Sequence, residues 1–504
     1  MADIPTQHVS YWIDSTPETG YSALLGDLEV DVAVVGAGIV GLTTALLLKR
    51  AGRSVAVLES RKIVDQVTGR TTAKLTSLHG LIYTHLIKYF GEAGARAYAE
   101  SNQAAIEIVD TIRTQLHCEC DFERLPAYTV TESKEWVPAL ETEAETAAKL
   151  GLPVDFVTET SLPFPVVGAV RFDHQARFHP RKYLLSVAEA VNGDGCGVYE
   201  NTRVLDVEEG TPCRVLTDRG KVTARDVVIA TNIPILDKGA FFAKVFPRQH
   251  VVLGIRVAPE QVPDGMFLSV GEPRYSVRVH PTAEGPLLIV SGQGYRTGHA
   301  DTAQKSRELR WFVQNRFRVT SVNYEWINQD YDSADRVPYI GRLTPGSSHL
   351  YTATGFNAWG LSNGTVAATI ISDQIIGNHN RWADLYRAAR VNVKASGRRL
   401  LKENAQVAEM WLKDKLTSDY RKTVETIPPG EGETVDLHGK KSAVYRDEDG
   451  RVHAVSAVCT HLGCTLRWNR VDKSWDCPCH GSRFDTEGVV ISGPARKNLE
   501  PESW

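Results

Sequence analysis

Val30-Asp-Val-Ala-Val-Val35 runs straight into Gly36-Ala-Gly38-Ile-Val-Gly41, continues as Leu42-Thr-Thr-Ala-Leu-Leu-Leu-Lys49, and leads on to Ser54-Val-Ala-Val-Leu-Glu59. The outer pieces are short apolar runs bounded by turn residues and read as buried parallel strands, with a helix between them. Glycines at this spacing, inside a strand–turn–helix–strand context, make a dinucleotide-binding turn. Each residue has a physical task there. Gly36 makes the tight turn and Gly38 lets the backbone approach a pyrophosphate. Gly41 lets the helix pack close to the sheet, and Glu59 accepts from a ribose hydroxyl. The turn alone does not choose between FAD and NAD.

Later segments of the chain do choose. Gly69-Arg-Thr71-Thr72-Ala-Lys74 comes shortly after the acidic strand end, and Val227-Val-Ile-Ala-Thr231-Asn232 reads as a further core strand. Asp335-Arg-Val-Pro-Tyr-Ile-Gly341 then precedes Ala353-Thr-Gly355-Phe-Asn-Ala-Trp-Gly360 and an apolar helix from Thr365 to Ile376. That order, over roughly residues 25–380, resembles the D-amino-acid-oxidase-like (DAO) superfamily of flavoproteins. The resemblance implies that the first turn holds the ADP part of FAD and that the Asp335 and Gly355 segments close over the flavin. A helix start near Gly360 would face the flavin's electron-rich end. Thr71, Thr72, Thr231, Asp335, Gly355 and Gly360 join Gly36, Gly38, Gly41 and Glu59 as expected FAD contacts. A second glycine run, Gly292-Gln-Gly294-Tyr-Arg-Thr-Gly298, also comes after a strand. It lacks the small, apolar helix start and the acid-tipped strand of a nucleotide site, and the DAO-like resemblance implies that it belongs to the substrate-domain sheet.

Near the other end lie Cys459-Thr-His461-Leu-Gly-Cys464 and Cys477-Pro-Cys479-His480-Gly-Ser482. Two thiols and two imidazoles as C-x-H and C-x-x-H match a Rieske 2Fe-2S cluster, in which two thiolates hold one iron and two neutral imidazoles the other. Zinc uses the same residue types, but it neither requires C-x-H nor explains the extra thiols Cys464 and Cys479. The boxes resemble those of Rieske proteins of cytochrome bc-type complexes, which have both the four ligands and the extra pair. The resemblance implies Cys459, His461, Cys477 and His480 as ligands, a Cys464–Cys479 disulfide, and Ser482 as a donor to a cluster sulfide. Phe484 stands where high-potential members have Tyr, so one donor is missing and a lower potential is expected. Gly493-Pro-Ala495 resembles the loop covering the cluster.

A chain of 504 residues predicts more than one domain. Its net charge of −4 and pI of about 6.4 give no reason to expect nucleic acid or an anionic membrane as partner. No apolar run approaches the length of a transmembrane helix and no secretory signal is visible, so a cytoplasmic location is expected. Cys118, Cys120, Cys196 and Cys213 lie outside the boxes and read as ordinary thiols. Between the halves, Leu401, Ala408, Leu412 and Leu416 share a helical face beside Trp411. The opposite face mixes Lys402, Glu403, Glu409, Lys413, Asp414 and Lys415, which suggests a bridging helix packed on protein. Ile427-Pro-Pro-Gly marks a boundary, and the stretches around Asp449-Gly450 alternate as a hairpin.

The expected fold is therefore an α/β (α+β) FAD-binding Rossmann-type domain with an inserted substrate domain, plus a small all-β Rieske domain. FAD-binding segments are placed at about 28–80, 170–237 and 330–380 within 1–385, and the substrate domain at about 85–170 and 240–330. A helical linker spans 386–425 and the Rieske domain 426–504. The combination resembles a bacterial family of DAO-like flavoproteins fused to a Rieske domain. That implies an FAD-dependent oxidoreductase, with hydride removal from a carbon beside an amine nitrogen as the typical chemistry. An amine or amino acid is the expected substrate, and a protein or quinone the expected one-electron acceptor. Tyr275, Arg278, Tyr295 and Arg296 are candidate substrate contacts, an Arg being suited to a carboxylate. Lys74 and His79 are candidates beside the flavin ring. A reductase driven by NAD(P)H or a protein is the competing reading, with residues 292–298 as its only nicotinamide candidate. A Rieske monooxygenase would need a further mononuclear iron site.

Overall fold

The computed structural model describes residues 6–416 and 423–504, with the side chains of 413–416 excluded. The quoted turn folds as read: strand Leu28–Val35, helix Ile39–Arg50 and strand Val55–Leu58. The first sheet has eight strands. Leu28–Val35 lies in its middle, parallel to Val55–Leu58 on one side and to Lys221–Ile229 on the other. Val32 to Val35 are buried on both faces, which is why they form an unbroken apolar run rather than an alternating one. Helix Gly360–Ile376 lies against Ile39–Arg50, where Gly364 leaves room for the Ile39 side chain.

A second sheet of ten strands stands beside the first. Its longest members, Val245–Val257 and Val319–Ser333, pair antiparallel along nearly their whole length. Lys74–Leu75 and Gly168–Arg177 also belong to this sheet. The sequence places the start of an FAD-binding segment in the strand at 168–177. That strand pairs instead with Glu123–Thr131 in the second sheet.

The C-terminal part holds a three-stranded and a four-stranded antiparallel sheet. The hairpin is as read, Lys440–Arg446 pairing with Val452–Ser456. This part is docked on the end of the second sheet by directed bonds. Gln249 donates to Asp476 at 2.6 Å, Gln329 to the Gly481 carbonyl at 2.7 Å, and Arg70 pairs with Asp472 at 3.1 Å.

The linking helix Val393–Leu416 corrects an expectation. Leu401 and Leu412 are 77% and 52% exposed, so the supposed apolar contact face points to solvent. The packed face is polar: Glu403 pairs with Arg248 and Arg296, Arg399 with Asp332, and Gln406 accepts from Arg296. Charge pairing on the flank of the second sheet outweighs the apolar stripe. Lys413, Asp414, Lys415 and Leu416 fall outside the described side chains.

Candidate functional site: two adjoining cofactor sites

A cleft of about 1360 Å³, counting its open mouth, starts at Gly36, Gly38 and Glu59 and runs past Thr68 and Thr71 to Thr231, Asn232, Asn328, Asp330 and Gly360. Its first turn is held tight. Gly36 has φ +102°, and a Cβ there would stand 2.7 Å from the Ala230 carbonyl. A Cβ on Gly41 would strike the Gly36 carbonyl. Glu59 is held from below, one oxygen accepting from Ala37 N at 3.0 Å and the other from Arg61 N at 3.1 Å. Burial raises its pKa, while those donors lower it.

Three lining residues carry buried polar atoms without a protein partner: Asn232 Nδ2, Asn328 Oδ1 and Asp330 Oδ1. Buried groups of this kind are costly unless a ligand or water satisfies them. Val64, Asn232 and Ala358, all in the lining, have positive φ of 54°, 65° and 67°. Such strain concentrates where a ligand shapes the backbone. The glycine cradle, the carboxylate at the second strand end and the unsatisfied amide and acid groups fit FAD.

The remaining expected contacts divide. Thr71 lines the cleft, and its carbonyl is fixed by Trp12 Nε1 at 2.6 Å. Thr72, Asp335 and Gly355 lie outside the lining. Asp335 is taken up by Arg390, which holds both its oxygens at 2.7 and 2.9 Å, and it caps Val337 N. Gly355 has its own reason, a φ of +76° and a Cβ position 2.9 Å from Ser333 Cβ.

The four substrate-contact candidates do not form one group. Tyr275 and Tyr295 turn into the core behind the second sheet, where Tyr275 stacks on Phe312 at 4.8 Å. Arg278 is on the opposite face with Lys74 and Ser276. It donates to the Ala73 carbonyl at 2.8 Å, and Lys74 bonds the Ser276 hydroxyl. Among the described residues no carboxylate pairs with either cation. Burial, and then the Arg278 charge, push Lys74 down to about 7. Arg296 is bound to Glu403 and Gln406 at the linking helix. His79 stacks on Trp359 at 4.4 Å and bonds Tyr98 and Ser362, and burial lowers it to about 3.

In the C-terminal part the two boxes meet. Cys459 and Cys477 are buried with their thiols in hydrogen-bond contact, and the His461 and His480 rings stand 5.0 Å apart, edge to face. Nδ1 of each ring is buried and unpartnered. The Cys477 contact, with donors from His461 N, the Ser482 hydroxyl and Leu462 N, lowers Cys459 to about 7 against the effect of burial. Two thiols and two free imidazole nitrogens are the donor set of a Rieske cluster and would hold one. Ser482 also accepts from Ala495 N at 3.0 Å, tying the third loop to the second box. Cys464 and Cys479 are joined in a disulfide across the two boxes. Beneath them Arg483 is buried between Asp472 and Asp476 at 2.6 and 2.9 Å.

One strand carries residues of both sites. Along Val319–Ser333, Asn328 and Asp330 face the FAD cleft. Gln329 and Tyr331, on the other face, donate to the carbonyls of Gly481, His480 and Gly493. The cleft lining itself includes Val490 to Gly493, Ala495 and Arg496. The second glycine run finds its reason here too. A Cβ on Gly298 would meet Pro478 at 3.0 Å, and His299 Nε2 lies 3.2 Å from the Pro478 carbonyl. The loop seats the second box rather than a nucleotide.

Sequence reading missed Asn328, Asp330 and the Asp472–Arg483–Asp476 network. The run Asn328-Gln-Asp330-Tyr-Asp332, polar at alternate positions of a strand, was the available signal.

A family model for FAD dependent oxidoreductases (DAO) matches residues 31–374, and one for the Rieske [2Fe-2S] domain matches 420–501. The chain belongs to the DAO family of FAD-dependent oxidoreductases and carries a C-terminal Rieske domain; it is an oxidoreductase that binds FAD and a 2Fe-2S cluster. The Rieske 2Fe-2S iron-sulfur protein YhfW of Bacillus subtilis (strain 168) is 34% identical over 494 residues, 97% of each chain. Gamma-glutamylputrescine oxidoreductase of Escherichia coli (strain K12) is 24% identical over 75% of this chain and 91% of its own. Glycine oxidase from Geobacillus kaustophilus superposes with a TM-score of 0.59 at 16% identity, over 72% of this chain and 99% of that one. It shares the fold. Among the described residues no helix is long and apolar enough to cross a membrane.

Proposed function

We propose that this protein oxidises the C–N bond of an amine or amino acid and passes the electrons, one at a time, through its Rieske domain to an external protein or quinone. FAD supplies two-electron hydride acceptance and the cluster one-electron carriage. Gly36, Gly38, Glu59, Thr71, Thr231 and Gly360 hold the flavin nucleotide on this reading, with Asn232, Asn328 and Asp330 added and Gly41, outside the lining, keeping the turn tight. Cys459, His461, Cys477 and His480 hold the cluster. Lys74, Ser276 and Arg278 form the buried, cation-bearing cluster that would orient a substrate on this reading; Tyr275 and Tyr295 are left out. A cytoplasmic location belongs to the same reading.

The observation that supports it most is the strand Val319–Ser333. Residues on one of its faces line the FAD cleft, and those on the other grip the loops of the cluster site. Two redox sites sharing a single strand as wall are suited to exchange electrons. Relatives named for gamma-glutamylputrescine and glycine oxidation support the substrate class.

An anaerobic screen of amines and amino acids against the purified protein tests this. A substrate should bleach the flavin absorbance where NADH and NADPH do not. Bleaching by NADPH alone would move the reading to a reductase.

A further inference from the structure

The edge of the cluster site that carries the two histidines is not finished by the Rieske domain. Residues 231–244, which connect the first sheet to the second, reach across to it. At its start this segment lines the FAD cleft through Thr231, Asn232 and Ile235. Further on, Asp237 Oδ1 lies 3.2 Å from Nε2 of His461. The Phe242 ring stands edge-on to both imidazoles, with centroids 5.8 Å from His461 and 5.4 Å from His480. The His461 side chain is only 5% exposed, while the Asp237 carboxylate is 61% exposed. The acid therefore caps the imidazole from the solvent side, leaving Nδ1 of His461 buried and unpartnered.

We infer that Asp237 and Phe242 are positioning and tuning residues for the cluster, supplied by the flavoprotein part of the chain. The inference rests on the ligand assignment proposed above. A carboxylate that accepts from the outer nitrogen of a metal-bound imidazole fixes the ring and makes it a stronger donor. A stronger donor favours the oxidised centre, so Asp237 lowers the cluster's potential. The missing hydroxyl at Phe484 acts in the same direction. Phe242 closes the histidine edge against outside molecules, so that this edge faces the flavin half of its own chain. Because Thr231, Asn232 and Ile235 line the FAD cleft, the same short segment contacts both cofactor sites.

The test is a mediated redox titration of the full-length, cluster-loaded protein, read by the Rieske EPR signal, for wild type, Asp237→Asn, Asp237→Glu and Phe242→Leu. Asp237→Asn should shift the midpoint upward, and Asp237→Glu should return it most of the way. Flavin content and spectrum should stay as in wild type. Phe242→Leu should keep the EPR line shape and speed oxidation of the reduced cluster by ferricyanide severalfold. A midpoint in Asp237→Asn equal to wild type would overturn the role of the carboxylate. Ferricyanide oxidation at the wild-type rate in Phe242→Leu would overturn that of the ring. No substrate is used, so failure to find an oxidisable amine leaves this result standing. Absence of a Rieske signal in wild type would instead defeat the ligand assignment beneath it.

Discussion

All four residues that would hold the cluster lie between Cys459 and His480, on two loops stapled by one disulfide. The lining of the FAD cleft is gathered from six distant stretches, around residues 36, 59, 203, 231, 328 and 360, and from the Rieske loop at 490–496. The four ligands of the first site are local, and the flavoprotein part adds Asp237 and Phe242 at its histidine edge. The second is assembled only when two sheets and a third domain close on one another. A local site survives neighbouring damage, whereas a distributed one depends on every wall.

The sharpest way to break this comparison is to remove one cluster ligand. His480→Ala should abolish the Rieske EPR signal entirely while the flavin absorbance persists. Loss of both would mean that the two sites form as one unit.

Arg483 bears on what keeps the local site rigid. It is buried between Asp472 and Asp476, and Asp472 also receives Arg70 from the flavoprotein half. Arg483→Met takes the cation away from buried Asp476, leaves Asp472 with Arg70, and should cost about 3–5 kcal/mol in denaturant unfolding of the C-terminal part.

On the other side, burial holds the Asp330 carboxyl up at about 7, against an ordinary 3.8. Between those values the native protein keeps a proton that the unfolded chain releases. The stability this contributes is complete below 3.8 and is lost as the pH rises through about 7. Relative to Asp330→Asn, wild type should lose on the order of 2–4 kcal/mol across that window, measured by unfolding at pH 4 and pH 8. A constant difference would mean that Asp330 is not buried in the cleft wall.

The smallest effect is expected at Glu59, one contact among many. Glu59→Ala should weaken FAD retention by about 1–3 kcal/mol in a dialysis titration. Unchanged retention would take the ribose contact away from Glu59.

The same contrast explains what could be read beforehand. The first turn of the FAD cleft and both cluster boxes depend on residues close in sequence, so glycine spacing and Cys/His spacing revealed them. Asn328 and Asp330 acquire their role from the register of Val319–Ser333 against Val245–Val257; the alternation of Asn328, Asp330 and Asp332 marks a polar face, but the register aims it at the cleft. Asp335 sits in a familiar motif, yet its oxygens are taken by Arg390, 55 residues away. The apolar stripe of the linking helix misled for a related reason. Arg248, Arg296 and Asp332 offer charges to its polar face, and these come from the distant second sheet.

On the proposed reading, substrate electrons cross the strand Val319–Ser333 to the cluster. The most direct measurement is an anaerobic rapid-mixing experiment with an oxidisable amine, tracking flavin absorbance and freeze-quenched Rieske EPR together. Flavin bleaching should come first and the Rieske signal should grow later, at a rate slowed by Tyr331→Phe, which releases the His480 carbonyl. Full flavin bleaching with a cluster that stays oxidised, and turnover sustained by oxygen alone, would contradict the account.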